Sequence, residues 1–241
     1  MGKKGCMKKL AIFAEGGTEQ HFIENLIRSI AGSKNIRIEK TKTRGGRSRR
    51  ETTRLEIDAA SNAQKYYVVI QDCGGDESVQ SDVRDNYSSL CESNYDAIIG
   101  MRDVYPKTGI EMQKVKNYLY FRILQTPIKA LMVLAIMEVE AWFIAETGHF
   151  ARINKNITKN DIISKIGFDP DVDPARVEEI RWPTGSLNEI YECARERYDK
   201  NDPHNLARTA SSLDYDRVYL DLADKIPAMK PLIEELNSFL S

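Results

Sequence analysis

The chain has 241 residues, 41% of them apolar and 29% charged, with 14 glycines and 8 prolines. That length suits one large domain, or one domain with a helical appendage, and the composition excludes collagen-like, mucin-like and wholly disordered chains. Residues 128–145 are the most apolar stretch, but Lys129, Glu138 and Glu140 interrupt it, and a bilayer span needs about 20 nearly uninterrupted apolar residues. Residues 10–14 are too few for a signal-peptide core. The expectation is a cytoplasmic protein with no membrane partner. Cys6, Cys73, Cys91 and Cys193 form no CxxC pair, and His21, His149 and His204 are scattered, so any metal is expected on carboxylates.

The formal net charge of −1 is unevenly spread. Residues 40–54 carry seven basic side chains (Lys40, Lys42, Arg44, Arg47, Arg49, Arg50 and Arg54) against one acid, Glu51, on a body near −7. Two readings stay open. The segment is a solvated loop, with Gly45, Gly46 and Ser48 giving it freedom, or an arm that contacts nucleic-acid phosphates through Lys42, Arg44, Arg47, Arg49, Arg50 and Arg54.

In chain order, residues 9–14 read as a short buried strand, followed by Glu15-Gly16-Gly17 and a helix from Thr18 to about residue 31. Thr18 is read as its N-cap, with Glu19 in the first turn where the helix dipole favours an anion. Residues 36–39 suggest a brief strand into the basic loop, and 50–65 a helix with Leu55, Ile57, Ala59 and Ala60 as its apolar positions. The run YYVVIQ at 66–71 has the β-branched and aromatic content of a buried strand and ends at Asp72. A helix over 78–93, a strand over 97–101, a helix over 111–124 and an apolar strand over 128–137 follow. Continuous apolar runs between helices point to parallel strands covered on both faces. Beyond Trp142 the signals turn helical, at 158–167, 186–198, 203–211 and 228–240, with a proline-bearing loop over 168–184. The expected architecture is an α/β domain over 1–145 with a helical part over 146–241.

The acids fall at strand ends: Glu15, Asp72, Asp103, and the pair Glu138 and Glu140. In an open α/β sheet ligands bind outside the carboxyl ends of the strands, where such residues would converge. Converging carboxylates raise one another's pKa unless a cation compensates them, and Mg²⁺ prefers oxygen ligands. Gly16 allows close backbone approach to a ligand, and the helix start after Thr18 suits an anion. Neither a Walker motif nor GxGxxG is present, and no serine or cysteine stands at nucleophile spacing.

These residues resemble a family. Phe13-Ala14-Glu15-Gly16-Gly17-Thr18-Glu19 is similar to the EGxTE start of Toprim-like domains, found in topoisomerases, primases and the overcoming-lysogenization-defect nucleases. Ile99-Gly100-Met101-Arg102-Asp103 resembles the strand that carries the Toprim Asp-x-Asp, with Tyr105 in place of the second acid. Glu138-Val139-Glu140-Ala141-Trp142-Phe143 resembles the ExEAW motif of an uncharacterised bacterial Toprim-like family, and Tyr198-Asp199-Lys200 also fits that group. The resemblance implies a Toprim-like, Rossmann-like, mostly parallel sheet and a Mg²⁺- or Mn²⁺-dependent site for phosphodiester chemistry. Glu15 would be acid/base or ligand, Asp103 a catalytic ligand, and Asp72, Glu138 and Glu140 further ligands. Lys200 and His204 are secondary candidates, each with a plain surface role as the alternative. The resemblance further implies a nuclease acting on DNA or RNA, with a place in defence against phage or mobile DNA. An inactive nucleic-acid-binding module and an effector working only with a partner ATPase are the alternatives. Homo-oligomerisation stays open.

Overall fold

The structure is a computed structural model that describes residues 7–32, 34–45, 50–104 and 110–241. Arg47, Arg49 and Tyr105 lie outside the described residues. The protein is α/β, with six strands: β1 (Lys8–Ala14), β2 (Ile36–Arg44), β3 (Glu51–Ile57), β4 (Tyr66–Asp72), β5 (Ala97–Asp103) and β6 (Ala130–Ala135). They form one sheet in the order β3-β2-β4-β1-β5-β6, Rossmann-like and mostly parallel. β1 pairs in parallel with both β4 and β5, and β2 with β4; only β3 runs antiparallel to its neighbour among the registered pairs. β1 and β4 stay in step to their ends, where Ala14 faces Asp72.

Two compact units divide the chain, residues 1–102, 116–133 and 234–241 in one, and 103–115 with 134–233 in the other. In the first, helices α1 (Gly17–Ala31) and α2 (Asp76–Glu92) pack on the strands, over a core that includes Leu10, Ile12, Phe22, Leu26 and Ile70. The cap of α1 differs from the expectation. Gly16 is its N-cap, and its N–H donates to the Glu19 carboxylate at 2.9 Å, so Glu19 is spent on the helix start.

The basic segment is not a loop feeding a helix. β2 runs on to Arg44 and pairs antiparallel with β3, so the expected helix over 50–65 is replaced by a strand. Leu55 and Ile57 are two residues apart, which is strand spacing, and Thr52 and Thr53 are β-branched. Cross-strand partners complete the hairpin. The Thr43 and Thr52 hydroxyls meet at 3.0 Å, and the Lys40 ammonium pairs with Glu56 at 2.8 Å and Glu24 at 2.7 Å.

Two other elements are shorter than expected. Helix α3 (Ile110–Tyr118) ends early, and the Gln80 side-chain amide donates to the carbonyls of Tyr118, Leu119 and Phe121 that follow. β6 starts only at Ala130, because the Tyr87 hydroxyl holds both backbone groups of Ile128, at 2.6 and 3.0 Å.

The second unit is helical: α4 (Glu140–Ala145), α5 (Gly148–Ile153), α6 (Lys159–Ile166), α7 (Pro183–Glu192) and α8 (Pro203–Ser212). A 3₁₀ turn, Pro174–Glu179, sits in the proline-bearing stretch. Thr158 caps α6 by accepting from the Asp161 N–H, and Gly167 ends it at φ +81°. Trp142, Phe143, Phe150 and Tyr191 are all at most 1% exposed and build this unit's core. Among the described residues no helix is long and apolar enough to cross a membrane.

Candidate metal centre

Asp103 is the last residue of β5, and Glu138 and Glu140 lie between β6 and the start of α4. Met137 turns the backbone at φ +68°, a left-handed conformation that β-branched residues avoid, immediately before Glu138. Val139 sits between the two glutamates, is fully buried, and its N–H donates to Asp103 Oδ1 at 3.2 Å. The backbone thereby ties the end of one strand to the turn after another.

All three carboxylates are buried, and each offers an oxygen within 4.8 Å of the others. No other group of three His, Cys, Asp or Glu side chains gathers this way among the described residues. Each glutamate is held from the side. Glu138 accepts from the Thr184 N–H at 2.9 Å and from the Lys200 ammonium at 3.1 Å; Glu140 accepts from the Tyr198 hydroxyl at 2.7 Å. Burial, and then the Glu138 charge, push the Glu140 carboxyl above its ordinary pKa, against the Tyr198 hydrogen bond. Burial works against the Lys200 charge, yet Glu138 and Glu140 outweigh it and hold its pKa above the usual lysine value.

The carboxylates crowd one another. Two carboxylates about 4.8 Å apart repel by about 3–4 kcal/mol at an effective dielectric near 20. Lys200 stands against Glu138 as one counter-charge. A divalent cation would relieve the remaining repulsion between the carboxylates. The donor set is all oxygen, which suits a hard ion, and the ligand oxygens of such an ion stand about 4 Å apart or closer. Thr184 adds a buried hydroxyl with no hydrogen-bond partner among the described residues, on the residue whose N–H holds Glu138. The cluster therefore fits a metal ion.

The other expected residues make contacts of their own. Glu15 follows β1 and is half-buried; its carbonyl accepts from the Gly75 N–H at 2.9 Å. Asp72 is buried at the end of β4, ion-paired with Lys42, and accepts from the Gly74 N–H at 2.9 Å. Thr18 is buried in the first turn of α1. Of the basic residues, Arg50 pairs with Asp82 at 2.8 Å and Arg54 with Glu39 at 2.6 Å, while Arg44 stands exposed at the hairpin's end. His204 is exposed at the start of α8.

Sequence reasoning named Lys200 but missed the supporting role of Tyr198 and all of Thr184. Tyr198 carried a signal, being two residues from Lys200 in an otherwise polar stretch; Thr184, one residue after a proline, carried none. His149 reads in the sequence only as one of three scattered histidines. It is fully buried, its Nδ1–H donates to the Glu146 carbonyl at 2.5 Å, and burial pushes its pKa down to about 3.

The fold and the site define an α/β protein with a buried three-carboxylate cluster. No family model matches the chain, and no curated protein or solved structure matches it.

Proposed function

We propose that this protein is a divalent-cation-dependent phosphodiester hydrolase with a Toprim-like site, acting on nucleic acid with Mg²⁺ or Mn²⁺. One observation carries the reading: Asp103, Glu138 and Glu140 are buried together with carboxylate oxygens within 4.8 Å of one another, an all-oxygen set that a divalent ion would suit. Asp103, Glu138 and Glu140 would hold the ion. When bound, it supplies positive charge for the phosphoryl oxygens and acidifies a coordinated water.

The chain's own groups do the positioning. Val139 N–H orients Asp103, Thr184 N–H and Lys200 fix the two oxygens of Glu138, and the Tyr198 hydroxyl fixes Glu140. Lys200 is about half exposed, so its ammonium can reach a substrate phosphate from the solvent side. The resemblance implies Glu15 as general acid or base, a role that rests on the motif alone. Three carboxylates suit one ion better than two, since a two-metal site needs ligands for ions about 3.5–4 Å apart.

The test is cleavage of single-stranded DNA, double-stranded DNA and transfer RNA with Mg²⁺ or Mn²⁺. Wild type is compared with Asp103→Asn, Glu138→Gln and Glu15→Gln. Metal-dependent cleavage lost in Asp103→Asn and Glu138→Gln is the expected result. Loss in Glu15→Gln as well assigns that residue its role. Cleavage that survives Asp103→Asn and Glu138→Gln, or no cleavage of any substrate, overturns the hydrolase reading.

A further inference from the structure

The connection between α7 and α8 does more than support the glutamates. Tyr198 and Lys200 turn to Glu140 and Glu138, while Arg195 and Arg197, on the same few residues, line a pocket of about 320 Å³ with Glu196, His204, Asn205 and Arg208. The volume is at the small end for ligand sites and has room for a phosphate with the sugar that bears it. Three guanidinium groups face one carboxylate there.

That carboxylate is already committed. Glu196 accepts from Arg208 at 2.8 Å and from the Asn154 amide at 3.0 Å, which ties the connection to α8 and to the end of α5. Arg208 also reaches the Arg197 carbonyl at 3.4 Å. Arg197 pairs with Asp199 at 3.0 Å, an exposed contact that a ligand can replace. No carboxylate among the described residues pairs with Arg195. Asn205 donates to Asp202 at 2.6 Å.

Arg195 stands in a demanding place. Its φ is +60°, and its N–H donates to the Glu192 carbonyl at 3.0 Å while the Glu196 N–H reaches the Tyr191 carbonyl at 3.1 Å. This is the left-handed position after a helix end, which glycine ordinarily takes. An arginine there is held against its backbone preference, and it lines the pocket.

We infer that this pocket binds the phosphate of a nucleotide unit through Arg195, Arg197 and Arg208, and so holds a nucleic-acid strand for the carboxylate cluster in the same unit. A planar guanidinium fork matches phosphate oxygens two at a time, and the net formal charge of +2 on the liners attracts an anionic phosphate. The inference rests on the hydrolase reading for the choice of phosphate over carboxylate anions.

The experiment uses the full chain in EDTA, so that binding is read without any metal at the cluster. Ligands are a 5′-phosphorylated single-stranded oligonucleotide, its unphosphorylated twin, a mononucleotide 5′-monophosphate, inorganic phosphate and succinate. The Arg195→Ala/Arg197→Ala variant should bind the oligonucleotide at least tenfold more weakly. Its salt dependence should fall by about 0.7 in log–log slope for each phosphate contact removed. A preference for the phosphorylated strand assigns the pocket a terminal phosphate, and equal binding of both strands an internal one. Mononucleotide or inorganic phosphate binding that the variant also loses supports the same pocket.

Arg195→Gly should lose affinity yet melt higher than wild type, because glycine relieves the backbone; a purely structural arginine would not separate the two readouts. Unchanged oligonucleotide affinity in the folded double variant, or succinate binding as tight as phosphate, overturns the inference. A parallel Mn²⁺ titration of wild type and Glu138→Gln keeps the two readings apart. Arginine-dependent binding without Mn²⁺ binding leaves the pocket and removes the metal centre. Mn²⁺ binding without arginine dependence does the reverse.

Discussion

Glu140→Gln separates the metal centre from an ordinary buried acid cluster. The substitution keeps the shape of a side chain that is 1% exposed and keeps a partner for the Tyr198 hydroxyl, but removes one of three crowded charges. Glu140 has its pKa raised in the folded state, first by burial and then by Glu138. A raised carboxyl pKa means that the folded chain holds the proton more tightly than the unfolded one. Stability from this group is therefore greatest at low pH and falls as pH rises from the unfolded value through the folded one.

At pH 7.5 in EDTA the variant should melt higher than wild type, by about 2–4 °C for each kcal/mol of repulsion relieved in a chain of this size. Metal reverses the order. At 100 times its dissociation constant a ligand stabilises by about 2.7 kcal/mol, so wild type should gain roughly 5–10 °C with saturating Mg²⁺ or Mn²⁺. The variant should gain less than about 2 °C under the same conditions. Thermal melts with and without metal, at pH 5 and 7.5, measure all of this. A variant that melts lower than wild type in EDTA, or that keeps the full metal shift, refutes the reasoning.

Lys42→Ala leaves Asp72 buried with its charge partner gone and should cost about 1–3 kcal/mol in urea denaturation, a loss that Asp72→Asn on top of it should partly restore. Gly74→Ala should destabilise by about 1–3 kcal/mol, since Gly74 has φ +74° and an added Cβ would meet the Thr43 carbonyl oxygen at 3.1 Å; equal stability in a denaturant titration would contradict this. His149 has a folded pKa of about 3 against an ordinary 6.5, so the unfolded chain takes up the proton first. Its stabilising share is complete above about pH 6.5 and is lost as pH falls toward 3. Its slope is about 1.4 kcal/mol per pH unit, which His149→Asn should remove from a stability–pH curve.

The sheet was legible where apolar runs were continuous. The runs at 66–71 and 97–101 are rich in aromatic, β-branched and small residues, and both lie in central strands. The hairpin was not, because its stability comes from pairs invisible in one dimension. Lys40 with Glu24 and Glu56, and Arg54 with Glu39, neutralise a segment whose composition alone suggests a solvated arm. The acids Asp103, Glu138 and Glu140 were readable because strand ends collect ligands in such folds. Their support was not. Thr184 contributes a backbone N–H, which any residue but proline could supply, and the pocket arginines at 195, 197 and 208 look in sequence like surface charges.

The last helix, Lys230–Leu240, has a consequence for how the chain folds. Its final turn belongs to the first unit: the Lys8 ammonium reaches the Phe239 carbonyl at 3.3 Å, Lys34 reaches the Leu240 carbonyl at 2.5 Å, and the Tyr66 hydroxyl donates to the same carbonyl at 3.1 Å. Phe239 packs edge-on against Tyr66, with ring centroids 5.5 Å apart. These partners are more than 170 residues apart in sequence, so this unit can close only after the ribosome has made the whole of the other. During synthesis Tyr66 and the start of the sheet wait uncovered, and a nascent chain halted near residue 233 presents that surface to chaperones and proteases.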